Sequence, residues 1–141
     1  MHKGRCLCGK VEYEIDQKLD LVVNCHCHFC RKAHGSQFTT VLGMKGANMK
    51  IVKGTHCLED FKVGPGGRVF CSTCGTRIYN RSPVAGMISL ITATLDEEDQ
   101  AIPIAHVNVE SKHPLTQFND DLPTYQGHLT ESDLMQLLPN N

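Results

Sequence analysis

Cys25-His26-Cys27-His28-Phe29-Cys30 places three thiols and two imidazoles within six residues. As thiolates the three cysteines can enclose one face of a soft or borderline metal ion, since gaps of one and two residues let successive sulfurs turn inward. Three ligands leave a tetrahedral ion one position short. Structural zinc sites are closed by four protein ligands, whereas catalytic ones keep a position for water or substrate. Two other pairs, Cys6-Leu7-Cys8-Gly9 and Cys71-Ser72-Thr73-Cys74-Gly75, can close a four-thiolate site between themselves. Each pair is followed by glycine, which suits a metal knuckle whose turn needs positive φ. Such a site would staple the start of the chain to its middle and would be structural.

The three-cysteine cluster has a structural alternative in which His26, His28, His34 or Cys57 completes the sphere. The open reading is favoured because His26 and His28 alternate with the ligands and turn away from them in extended backbone. These two histidines are also the candidates to accept or relay a proton beside the metal, or to orient the sulfurs; His26 is taken with Cys25, Cys27 and Cys30 as the catalytic set. Cys57 falls in a strand-like stretch and reads as a small buried side chain. Arg31 and Lys32 follow the cluster directly and could hold the carboxylates of an acidic small molecule, against the plainer reading of a solvated pair. Asp96 to Asp99 reads as a solvated turn.

The segments that must position these residues are strands for the most part. Val11, Tyr13 and Ile15 alternate with Glu12, Glu14 and Asp16, which predicts a half-buried strand over residues 10–16. A strand over 21–24 leads into the cysteine cluster, and residues 29–33 form about one helical turn, with Gly35 as its stop. Strands are expected at 38–42, 50–53, 58–63, 68–70, 87–94 and 104–109, with a break at Gly64-Pro65-Gly66-Gly67. Beyond Lys112 the chain reads as an extended strap. A short helix follows over 130–138, with Thr130 as N-cap and Asp133 completing a capping box. The expected class is mainly β, with antiparallel sheets and a short C-terminal helix.

The 141 residues suit one domain over 1–125 with a tail over 126–141. With 40% hydrophobic and 21% charged residues the composition is that of a globular chain. A formal net charge of -1 argues against a nucleic-acid partner. No apolar run suggests a membrane span, and no signal-type segment is seen, so eight cysteines point to metal binding in a reducing, cytoplasmic compartment rather than to disulfides.

The motifs Gly4-x-Cys6-x-Cys8-Gly9, Cys25-His26-Cys27-x-x-Cys30-Arg31-Lys32 and Phe70-Cys71-x-x-Cys74-Gly75 resemble those of the glutathione-dependent formaldehyde-activating enzyme and centromere-protein-V family. The resemblance covers residues 4 to 125, and Leu95-Asp96 and His106-Val107 are similar to family positions as well. It implies a β-tent fold of zinc-pinned antiparallel sheets and two zinc ions. Cys6, Cys8, Cys71 and Cys74 would hold the structural one, and Cys25, Cys27 and Cys30 a catalytic, more labile one. It also implies a carbon–sulfur lyase that joins formaldehyde to glutathione as S-hydroxymethylglutathione. The chain departs from many relatives at His113-Pro114-Leu115, where they carry a tryptophan; it has none. The expected function is therefore a zinc-dependent lyase acting on the adduct of a glutathione-like thiol with formaldehyde or another small aldehyde. The competing expectation is a non-enzymatic, zinc-stabilised protein-binding module.

Overall fold

The computed structural model describes residues 1–138 and holds ten strands: β1 (His2–Arg5), β2 (Glu12–Ile15), β3 (Val22–Cys25), β4 (Thr39–Lys45), β5 (Met49–Lys53), β6 (Leu58–Val63), β7 (Gly66–Cys71), β8 (Arg77–Arg81), β9 (Met87–Ile91) and β10 (Ala105–Val107). Two short helices, α1 (His28–His34) and α2 (Glu131–Leu137), complete the regular structure. The protein is thus mainly β, with its strands in two sheets. Residues 139–141, the end of the expected tail, lie outside the described residues.

The chain forms two compact units, one of Met1–Leu19 with Leu42–Ala101 and one of Asp20–Val41 with Ile102–Asn141. In the first, β1, β2 and β5 make a small antiparallel sheet. Val11, Tyr13 and Ile15 are buried as their alternation predicts, each worth about 1.5–3 kcal/mol if fully withdrawn from water. The Tyr13 hydroxyl reaches Thr94 Oγ1 at 2.7 Å, which satisfies the one polar atom that this burial brings inside. In the same unit β9, β8, β7 and β6 lie side by side and antiparallel.

The second unit contains β3, α1, β10, α2 and the first residues of β4. Here β10 runs parallel to β3, with Val107 opposite Cys25, so the expectation of wholly antiparallel sheets fails at this pair. The long excursion between the two strands allows it, since parallel neighbours need a crossover rather than a hairpin. Thr124 bridges to His106, so the strap beyond Lys112 is tied to the edge of β10.

Several boundaries moved for identifiable reasons. Gly66 and Gly67 belong to β7 rather than to the turn, because a side chain at Gly66 would meet the Arg81 carbonyl and one at Gly67 the Asp60 and Arg81 side chains. The reversal needs only Gly64 and Pro65, with Val63 opposite Gly66. Strands β1 and β8 carry no apolar alternation and are held by their neighbours; of β8 only Ile78 is fully buried. Cys57 closes a 3-10 turn, Thr55–Cys57, instead of sitting in a strand, and it is buried. Helix α2 has the expected Thr130–Asp133 capping box, and Gly35 ends α1 at φ 61.

Candidate metal centre

The Cys6 and Cys8 knuckle lies between β1 and β2, and the Cys71 and Cys74 knuckle between β7 and β8. Gly9 and Gly75 adopt φ 76 and 77, the left-handed turn that lets each knuckle close, with their amides donating to the Cys6 and Cys71 carbonyls. Tetrahedral zinc with sulfurs at about 2.3 Å sets neighbouring sulfurs about 3.8 Å apart. The Cys6 and Cys8 sulfurs are 3.6 Å apart and those of Cys8 and Cys71 3.8 Å, and all four ligand atoms lie within 4.8 Å of one another. The donor set therefore fits such an ion closely. The Val11 amide donates to Cys6 Sγ at 3.3 Å. Burial pushes the Cys74 thiol up, but the Thr76 hydroxyl at 3.1 Å and nearby backbone amides outweigh it and hold the thiol at about 5. The Lys10 amide draws Cys8 down, yet burial and the crowding sulfurs lift it to about 11. A divalent cation resolves this opposition, since it favours the thiolate at all four positions.

In the second unit Cys25 ends β3, Cys27 caps α1 and Cys30 lies on its first turn. Their ligand atoms also fall within 4.8 Å of one another, and no fourth His, Cys, Asp or Glu joins them among the described residues. Cys25 and Cys30 sulfurs are 3.6 Å apart, again the edge of a metal–thiolate tetrahedron. The Cys30 amide donates to Cys27 Sγ at 3.2 Å, so the helix cap and the sulfur's orientation are one interaction. Hydrogen bonding to Cys27 leads the causes that push Cys25 up, and its bond with Cys25 leads those that push Cys30 far up. Crowded sulfurs resist common ionisation unless a cation is shared. Both clusters could hold metal ions.

The remaining expected residues are distributed unevenly. His26 is fully buried, and its Nε2 lies 2.9 Å from His106 Nδ1. His106 Nε2 in turn lies 3.0 and 3.1 Å from the Asp120 carboxylate oxygens. An ionised carboxylate only accepts, so His106 carries a proton on Nε2, and with His106 neutral its Nδ1 receives the His26 Nε2–H. This leaves His26 Nδ1 with a bare lone pair, and that atom is buried with no hydrogen-bond partner. Burial above all, then the neighbouring His106 ring and the charges of Lys112 and Arg31, bring His26 down to about 4. Phe38 and Phe118 flank the chain, with Phe118 stacked 4.1 Å from His106 and ring centroids 5.0 and 5.2 Å from His26. His28 and Lys32 are exposed on α1. Arg31 is half-buried and donates from Nη1 to the Ser111 carbonyl at 2.7 Å.

Reading from the residues missed Asp120, Asn108, Thr76 and the two phenylalanines. His106 was marked only by its likeness to a family position. Thr76 stands two residues from Cys74 but reads as an ordinary turn residue, the others are far from their partners in sequence, and an acid in the run Asn119-Asp120-Asp121 looks like any loop acid. Asn108 carried one faint signal, as the polar residue inside the strand expected over 104–109, which the structure ends at Val107.

A mainly β chain with one four-thiol set and one three-thiol set defines a class of cysteine-rich domain whose clusters could hold metal ions. The family model for glutathione-dependent formaldehyde-activating enzymes matches residues 1–111, and the chain belongs to that family. The crystal structure of a Rhodobacter sphaeroides protein is similar at 25% identity and a TM-score of 0.59, covering 67% of this chain and 88% of that one. No curated protein matches it. Among the described residues no helix is long and apolar enough to cross a membrane.

Proposed function

We propose that the protein is a zinc-dependent carbon–sulfur lyase-type enzyme, acting on the adduct of a glutathione-like thiol with formaldehyde or another small aldehyde. The observation that carries this reading is the count of ligands at the second cluster: Cys25, Cys27 and Cys30 gather without a fourth, while the other four cysteines close a set of their own. A three-thiolate zinc ion has room for an exogenous thiol and would lower that thiol's pKa. In the reaction the thiol sulfur bonds to the aldehyde carbon, the carbonyl π electrons move to oxygen, and the thiol proton ends on that oxygen.

The chain's own residues supply the setting. Cys25, Cys27 and Cys30 would hold the ion; Cys6, Cys8, Cys71 and Cys74 would hold a structural one. His26 stays neutral, with its Nε2–H committed to His106 and its Nδ1 lone pair facing inward. Arg31 and Lys112 both act on His26 through their charge, against Asp120, so two cations lie within electrostatic reach of the residue between Cys25 and Cys27. Lys32, exposed on α1, adds a cation that can meet substrate carboxylates. Free thiols at all eight cysteines suit a reducing, cytoplasmic setting.

The test measures zinc per chain together with the rate of adduct formation from glutathione and formaldehyde. Two zinc ions and a rate above the spontaneous one are expected. One tightly bound zinc and a rate equal to the spontaneous one would overturn the reading in favour of a zinc-stabilised binding module.

A further inference from the structure

Asn108 is the single non-glycine residue at positive φ among the described residues, at φ 55 and ψ 38. It follows Val107, which stands opposite Cys25 in the parallel β3–β10 pairing. The residue is 7% exposed, and its Nδ2 donates to Cys25 Sγ at 3.3 Å. The backbone alone would be met more cheaply by glycine, which enters this region without a Cβ penalty. A buried carboxamide adds a desolvation cost that only a partner can offset. Both costs fall on a residue whose side-chain donor ends on a sulfur, the pattern expected where strain serves a site.

Taking the three-cysteine cluster as a metal site, as proposed above, we infer that Asn108 is a positioning residue for Cys25, holding its sulfur toward the ion and offsetting surplus negative charge. Three thiolates around a divalent cation leave the centre net negative, so N–H donors to the sulfurs stabilise it. Cys27 receives such a donor locally, from the Cys30 amide. Cys25, the last residue of β3, receives one from Asn108 across the parallel strand pair. The Asn108 amide is fixed by the Gly127 carbonyl at 3.0 Å, and the turn it opens, Val109–Ser111, ends at the carbonyl that accepts from Arg31. One left-handed residue thus sets both a sulfur donor and the anchor of a cation on α1.

Two variants separate the donor from the backbone. Asn108→Gly keeps the left-handed turn and removes the donor; Asn108→Asp keeps the shape and puts an acceptor against the sulfur. Chelator competition on the zinc-loaded protein should show the more weakly held zinc released about tenfold or more easily in both, and most easily in the Asp variant. The zinc of the four-cysteine set, held in the same chain, is the internal reference and should be unmoved. After exchange with cobalt, the sulfur-to-metal charge-transfer band of the three-cysteine site should shift in both variants. A second zinc held as tightly as in the native chain with an unshifted band would overturn the inference while leaving the metal site standing. Equal loss at both sites with a lowered melting temperature would assign Asn108 to packing and overturn it too. A native chain that binds one zinc only would remove the site itself, and the inference with it.

Discussion

At the scale of single residues, function turns on how each sulfur of the second cluster is held. Cys27 is a helix cap and a member of the set that could hold a metal ion, so Cys27→Ser keeps a side-chain acceptor for the Cys30 amide while removing a thiolate. The expected result is loss of the second metal and a fall in adduct formation on the order of 100-fold or more, since even outer-sphere partners commonly cost 10–100-fold. Circular dichroism and the first zinc should be unchanged; unfolding would instead mark the site as structural. Asp120 fixes the protons of His106 and His26 in one arrangement. Asp120→Ala should leave zinc content intact and move the ring nitrogen shifts of both histidines from an Nε2–H pattern toward a mixture. Native-like shifts would show that packing between Phe38 and Phe118 suffices to set the tautomers.

At the scale of elements, turns and strand neighbours decide where the ligands arrive. Gly54 has φ 80, and a Cβ there would strike the Lys10 carbonyl, whereas Gly35 has φ 61 with open space around it. Both substitutions to Ala bear the left-handed penalty of about 1–2 kcal/mol, and Gly54→Ala adds a backbone collision. Chemical denaturation should therefore find Gly54→Ala clearly the more damaging; equal losses would show that the loop beside Lys10 yields. The strand at 12–15 was legible in the sequence because burial of one face leaves a period of two, and that at 87–91 through its β-prone composition, although the expected run to 94 ends in a 3-10 turn, Thr92–Thr94. Strands β1 and β8 were not, because His2-Lys3-Gly4-Arg5 and Arg77-Ile78-Tyr79-Asn80-Arg81 become strands through the ladders of their neighbours. The parallel direction of β10 was equally invisible, since strand direction is decided by where the chain re-enters a sheet.

At the scale of the whole molecule, metal and pH are the external variables. Metal binding free energy is folding free energy where distant segments supply the ligands. Stepwise chelation should first abolish activity with the melting temperature little changed, then lower that temperature sharply as Cys6, Cys8, Cys71 and Cys74 lose their ion. Acid acts through carboxylates such as Asp96, held below its usual 3.8 chiefly by hydrogen bonds from Arg5 at 3.0 and 2.9 Å. A carboxylate with a depressed folded-state pKa stabilises the fold above its ordinary value and loses that contribution as pH falls through the folded one. Asp96→Asn should therefore lower stability modestly near neutrality, the pair being exposed, and make progressively less difference below about pH 4, where the native chain loses the same contribution. The sequence alone marked which cysteines could serve as ligands and their division into a set of four and a set of three, because knuckle spacing is a local property that survives without tertiary contacts. The tertiary structure decided what surrounds the set of three: the His26–His106–Asp120 chain and the Asn108 donor to Cys25. The His26–His106 and Cys25–Asn108 contacts join residues 80 and 83 positions apart through a parallel strand pair, and no local pattern records which polar side chain such a pairing will set against a sulfur.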